Sequence, residues 1–217
     1  MNVQKASARY IHAYQSYYLV GIKGVAMTSL AQCLVDAGKS VSGSDVPEKF
    51  VTQPLLDKIK VKIDTSFEKE LPEEAQCVIY TSAHGAAHNP QVKQAQEKKL
   101  ALWSQAEAIA NLANQKYCLA VCGVGGKSTT SAMLSWIWEK TGQQPSFSVG
   151  VGDIPGLGKT GQWNADSRYF AIEADEYVTN PKEARAGEVH TPRFSFLEPS
   201  LIICTNLRFD HPDVYRD

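Results

Sequence analysis

Long hydrophobic runs are missing from this 217-residue chain. No apolar stretch approaches the roughly 20 residues of a bilayer-spanning helix, and the polar opening MNVQKASARYIHAYQ has no h-region of a secretory signal. These absences predict a cytoplasmic protein with no membrane partner. An excess of one charge is missing too. Lys+Arg 22 against Asp+Glu 23 leave a net charge of −1, without the basic footprint of a nucleic-acid binder. Cysteine is sparse: Cys33, Cys77, Cys118, Cys122 and Cys204 sit mostly in apolar runs. The spacing of Cys118 and Cys122 is wrong for a CxxC pair and no histidine cluster accompanies them, which argues against a disulfide framework or a zinc site. Low complexity is absent as well, since 43% hydrophobic and 21% charged residues describe a folded globular chain. The length gives room for one large or two small domains.

What is present alternates between two periods. Residues 17–22 form a short apolar run, after which Met27, Leu30, Ala31, Leu34 and Val35 recur at helical spacing up to Gly38, a C-terminal stop. Residues 41–45 and 77–80 read as further strands, the second running into Thr81, Ser82 and Ala83. Asn89 before Pro90 predicts an N-cap with proline in the first turn, and Ser104 with Glu107 predicts a capping box. Near residues 113–116 the pattern restarts with an apolar run over 117–122, a glycine-rich loop and a helix from Lys127 through Trp138. Residues 168–172, ending on Glu173, and 201–204, ending on Thr205 and Asn206, read as later strands, and residues 150–164 as loop. The fold class predicted is α/β. A Rossmann-like parallel-sheet domain over residues 1–114 is followed by an incomplete P-loop α/β domain over 115–217.

The strongest chemical signal is GVGGKSTT at residues 123–130, set directly between a strand and a helix. Gly123, Gly125 and Gly126 let backbone N–H groups curl around phosphate oxygens, and the helix N-terminus adds its positive dipole end. Lys127 supplies a point charge, the Ser128 hydroxyl can bind Mg²⁺, and Thr129 continues the motif. Val121 stands where the longer P-loop has glycine, so this is the shortened form. A second strand-to-helix turn, GIKGVAM, places Gly21 and Gly24 before a helix, with Ser44 and Asp45 at the end of the next strand, like the opening of a dinucleotide-binding unit. Glu173 begins the acidic run EADE at a strand end, where a carboxylate can face a metal beside the P-loop. His211 lies in FDHPD, whereas His12, His84, His88 and His190 read as structural.

Together these segments resemble the Mur ligase family, the ATP-dependent enzymes that add amino acids to the UDP-muramoyl precursor of peptidoglycan. GVGGKSTT is similar to the family's phosphate loop, EADE and TNLRFDHPD to two later motifs of the alanine-adding branch, and GIKGVAM, SGSD and YTSA to its UDP-binding first domain. Gly125 stands where that branch usually has His, and His84 where it usually has an aliphatic residue. The resemblance implies that Lys127 contacts ATP phosphates, that Ser128 holds one Mg²⁺, that Glu173 and His211 serve a second metal between the γ-phosphate and the substrate carboxylate, and that Gly21, Gly24, Ser44, Asp45 and Ser82 serve UDP-N-acetylmuramate. The implied reaction is γ-phosphoryl transfer to the lactyl carboxylate, followed by attack of L-alanine on the acyl phosphate. It also implies that this chain is an inactive part of a longer ligase, holding the first domain and part of the second. Three other readings stand beside it: a recycling ligase attaching a tripeptide to the same UDP-sugar, a non-catalytic UDP-sugar or ATP-binding module, and a nicotinamide-dependent oxidoreductase. A dehydrogenase has no use for GKST, which argues against the last.

Overall fold

A computed structural model describes residues 10–179, 191–212 and 215. His190 and Asp213 lie outside the described residues. After a short 3₁₀ turn at Ile11–Ala13, the first half runs β1 (Ser16–Val20), α1 (Val25–Asp36), β2 (Ser40–Ser44), α2 (Gln53–Lys58), β3 (Lys62–Asp64) and β4 (Cys77–Tyr80). It continues through α3 (Pro90–Glu97), β5 (Ala101–Ser104) and α4 (Gln105–Ala113). The second half runs β6 (Tyr117–Cys122), α5 (Lys127–Lys140), β7 (Ser146–Ser148), β8 (Gly161–Gln162), β9 (Tyr169–Glu173), a 3₁₀ turn at Arg193–Phe196 and β10 (Leu201–Cys204).

The first sheet has the order β3-β2-β1-β4-β5 and every pairing in it is parallel. Chain order reverses between β1 and β4, and a doubly wound sheet opens its ligand crevice at such a switch point. The second sheet has the order β10-β6-β9-β7-β8, parallel except for the antiparallel β7–β8 pair. Local chemistry accounts for the element ends. The Asn89 side chain accepts from Gln91 N at 3.0 Å, and Ser104 with Glu107 forms the full capping box. Gly38, at φ +74°, ends α1 with its N–H donating to Val35 O.

The apolar residues of α1 and α4 lie between the sheets. Tyr17, Leu19 and Ile79 of the first sheet and Cys118, Ala120, Phe170 and Ile172 of the second join one buried cluster through Leu30, Leu34, Ile109 and Leu112. The contact of α1 with β7 and β8 is polar at its centre and close. Gln32 Oε1 accepts from Thr160 N (2.9 Å), Gly161 N (2.8 Å) and the Thr160 hydroxyl (3.2 Å). The Ser29 and Ser148 hydroxyls meet at 2.8 Å. A Cβ placed on Gly161 would fall 1.9 Å from Ser29 O, so only glycine permits this approach of backbones. The segment read as loop from 150 to 164 thus contains β8, too short and too glycine-rich to show in an apolar pattern.

Candidate functional site

At the switch point, Gly21 (φ +84°) turns the chain out of β1, and a Cβ there would lie 2.4 Å from the Thr81 methyl carbon, so the β1–α1 turn fits against the end of β4 only with glycine. Gly24 caps α1. A cavity of about 220 Å³ opens there, walled by Gly24 through Met27, Tyr80 through Ala83, Ser104 through Ala106, Thr179 and Arg193. The structure therefore puts Gly24 and Ser82 in the cavity wall. Ser44 and Asp45 stand behind it, both fully buried. Asp45 accepts from Lys23 N at 2.7 Å and Val46 N at 2.8 Å, with His84 Nε2 at 3.5 Å. Ser44 donates to Gln91 Oε1. The polar atoms of both are engaged by protein partners, and neither is among the residues that wall the cavity. Lys23 is engaged as well, donating its ammonium to Val46 O and Glu48 O.

In the second half, Gly123 (φ +115°) and Gly126 (φ +85°) bend the loop between β6 and α5 through backbone shapes that favour glycine. A Cβ on Gly123 would also strike the Thr205 hydroxyl at 2.3 Å. Two residues at the end of β10 brace the loop. Asn206 Oδ1 accepts from Val124 N (2.8 Å) and Gly125 N (3.3 Å), and its amide donates to Gly125 O (3.2 Å). The Thr205 hydroxyl donates to Gly125 O at 2.6 Å or Cys122 O at 3.0 Å. An amide oxygen here occupies N–H groups of the kind that cradle phosphate oxygens.

Lys127 Nζ donates to Gly123 O and to Glu176 Oε1, each at 2.8 Å. The Ser128 hydroxyl donates to Glu173 Oε2 at 3.2 Å, while Glu173 Oε1 accepts from Gly150 N at 3.0 Å. Burial pushes the Glu173 carboxyl above its ordinary range, against the opposing hydrogen bonds from Gly150 and Ser128. A half-buried carboxylate facing a hydroxyl at the start of the helix after the glycine loop is a hard-oxygen donor set that suits Mg²⁺. His211 stands in a neighbouring group instead: its Nε2 is 3.6 Å from Glu176 Oε1 and 3.7 Å from Asp210 Oδ2. Among the described residues Glu176, Asp210 and His211 can bring ligand atoms within 4.8 Å of one another. Glu176, which links this group to Lys127, also has a buried Oε2 with no hydrogen-bond partner among the described residues. The structure thus pairs Ser128 with Glu173 and sets His211 beside Glu176.

Sequence reasoning passed over Arg193. Its guanidinium donates to Asp175 Oδ2 at 2.6 Å and to the Ser82 hydroxyl, joining the acidic run of one sheet to the cavity wall of the other. A second cavity of about 180 Å³, lined by Gly150, Glu173 and Asp175, shares Val25, Ala26, Gln105, Ala106 and Arg193 with the switch-point cavity. No motif marks this arginine; only the folded juxtaposition does.

Two strand-to-helix glycine turns, on two α/β sheets packed together through α1 and α4, define a protein with two loops of the kind that can cradle phosphate. The family model described as "Mur ligase family, catalytic domain" matches residues 16–117. A UDP-N-acetylmuramate–L-alanine ligase of Desulfitobacterium hafniense is 31% identical over 92% of this chain and 41% of its own length. That of Limosilactobacillus reuteri is 34% identical over 93% and 41%. The crystal structure of the UDP-N-acetylmuramate:L-alanyl-gamma-D-glutamyl-meso-diaminopimelate ligase from Neisseria meningitides superposes with a TM-score of 0.76 at 26% identity, covering 93% of this chain and 63% of that one. The UDP-N-acetylmuramate-alanine ligase of Thermotoga maritima shares the fold, with a TM-score of 0.72 at 23% identity over 90% and 42%. The chain belongs to the Mur ligase family. It spans about two fifths of the length of the curated relatives it matches.

Proposed function

We propose that this chain carries the UDP-N-acetylmuramate domain and the phosphate-and-metal half of the ATP site of a cytoplasmic, amide-forming ligase of peptidoglycan precursor synthesis, with L-alanine as the amine. One observation carries the reading: the switch-point cavity at Gly24 and Ser82 adjoins the cavity at Glu173, the two sharing Val25, Ala26, Gln105, Ala106 and Arg193 in their walls. A nucleotide-sugar with its diphosphate at the α1 N-terminus would extend its sugar and carboxylate toward the Ser128–Glu173 pair. The first half, to about residue 114, then serves the UDP-sugar and the second serves ATP. Lys127, released from Glu176, offers its ammonium to the β- and γ-phosphates, and the loop N–H groups take phosphate oxygens once Asn206 withdraws. Ser128 and Glu173 supply the oxygens for Mg²⁺, with His211, Glu176 and Asp210 as a second donor group. Bound there, Mg²⁺ supplies charge neutralisation for transfer of the γ-phosphoryl to a carboxylate. Orientation and water exclusion complete such a step, and the chain needs no covalent nucleophile.

The structural match to the tripeptide-handling ligase favours a second reading, in which the amine is a peptide. Both readings share UDP-N-acetylmuramate and ATP, so binding tests address them jointly. Thermal-shift measurements with UDP-N-acetylmuramate, ATP·Mg²⁺ and NADPH in parallel are expected to show stabilisation by the first two and none by the third. At about a hundred times the dissociation constant the shift corresponds to about 2.7 kcal/mol. Stabilisation by NADPH alone would replace the ligase reading with an oxidoreductase.

A further inference from the structure

Cys122 and Cys204 are direct register partners in the parallel β6–β10 ladder. Neighbouring strands lie about 4.7–4.9 Å apart, and Cα separations of about 4.4–6.8 Å are compatible with a disulfide. Register partners in a parallel pair project to the same face, and the Cys204 thiol interacts with that of Cys122. Cys204 is exposed and Cys122 half-buried, whereas Cys33, Cys77 and Cys118 are buried. All five are free thiols.

The positions of the pair matter more than their proximity. Cys122 ends β6 and is followed at once by Gly123, the first residue of the phosphate loop; Cys204 ends β10 and is followed by Thr205 and Asn206, which grip that loop. We propose that Cys122 and Cys204 form an oxidisable dithiol whose bridging locks the phosphate loop in the arrangement braced by Thr205 and Asn206. A peroxide is the oxidant. The exposed Cys204 thiolate attacks the O–O bond of hydrogen peroxide, giving a sulfenic acid and hydroxide, which is protonated to water. The Cys122 sulfur then displaces the sulfenic hydroxyl, which takes up the Cys122 thiol proton and leaves as a second water. In sum, two thiols and one peroxide become one disulfide and two waters. Burial and the neighbouring Cys204 hold the Cys122 thiol above its ordinary range, which suits the resolving role better than the attacking one.

The coupling follows from Asn206. Its side chain fills the N–H groups of Val124 and Gly125, and phosphate takes them when that side chain swings out or the β10 end moves away from the β6 end. A covalent tie one residue before Thr205 opposes that movement. This coupling rests on the phosphate-loop reading proposed above; the bridging itself does not.

The test treats the 217-residue chain with hydrogen peroxide, maps its thiols by peptide mass spectrometry and titrates ATP·Mg²⁺ into the oxidised and reduced forms. Expected are a disulfide joining the Cys122 and Cys204 peptides, ATP affinity weakened by about tenfold or more on oxidation, recovery with dithiothreitol, and no redox effect on ATP affinity in Cys204→Ser. Absence of that disulfide while Cys204 is oxidised overturns the pair. A disulfide that leaves ATP affinity unchanged overturns the coupling. Reduced chain that binds no ATP defeats both the coupling and the phosphate-loop reading, while the mass map still judges the bridge.

Discussion

Lys127 and Glu176 form an ion pair of 2.8 Å beside the phosphate loop, and the buried second oxygen of Glu176 has no hydrogen-bond partner among the described residues. The cation expected to meet ATP is held by a carboxylate that must give it up. On the function proposed, ATP binding exchanges the partner of Lys127, and the carboxylate it would release lies beside His211 and Asp210.

Replacing the cation tests the exchange. Lys127→Ala is expected to weaken ATP binding by roughly 1.5–3 kcal/mol, the scale of a charge-assisted contact, and to leave UDP-N-acetylmuramate binding unchanged. Calorimetric titration of each ligand checks this. Equal weakening of both would mean one shared site.

Glu173 separates stability from binding. Its raised pKa means that the folded chain holds this proton more tightly than the unfolded chain does. Stability is then fully present below the ordinary value of 4.5 and is lost as pH rises from there through the folded value. Glu173→Gln is expected to raise the melting temperature of the ligand-free chain at neutral pH and to flatten that pH dependence, while abolishing the Mg²⁺-dependent part of ATP stabilisation. A variant less stable than wild type at neutral pH would contradict the assignment of burial as the dominant cause.

Gln32 carries the seam between the sheets. Gln32→Ala strands the N–H groups of Thr160 and Gly161 in a buried setting and is expected to cost about 2–4 kcal/mol. Gly161→Ala, which forces a Cβ against Ser29 O, is expected to cost about 1–3 kcal/mol or more by overpacking. Because the sheets share a core, denaturant unfolding of both variants should remain a single transition. Two separated transitions would show that the sheets unfold as independent units.

Arg193 lines both cavities and ties Ser82 to Asp175. Arg193→Ala is expected to weaken UDP-N-acetylmuramate binding by roughly 1.5–3 kcal/mol while ATP affinity stays within about twofold. Loss of ATP binding alone would place this arginine in the other site.

Much of this was legible in residue order because the chemistry is local. The strands at Cys77–Tyr80, Tyr117–Cys122 and Leu201–Cys204 show as apolar runs, and the caps at Asn89 and Ser104 as short polar signatures. Lys62–Asp64 and Ser146–Ser148 show no such run. They are three-residue strands whose backbones pair within sheets that supply the burial, so tertiary pairing decides them. In the site, glycine loops and the GKS motif read directly, since a phosphate cradle is built from consecutive backbone groups. The engagement of Asp45 by the backbone of its own turn, the separation of His211 from the Ser128–Glu173 pair and the bridge made by Arg193 arise between distant segments, and spacing along the chain does not encode them.

Two nucleotides occupying one chain together is the central expectation for this protein. Calorimetric titration of ATP·Mg²⁺ into chain saturated with UDP-N-acetylmuramate is predicted to show one-to-one binding of ATP without displacement of the UDP-sugar, and loss of only the ATP heat in Lys127→Ala. Competition between the two ligands, or no binding of UDP-N-acetylmuramate to a chain shown to be folded, would contradict it.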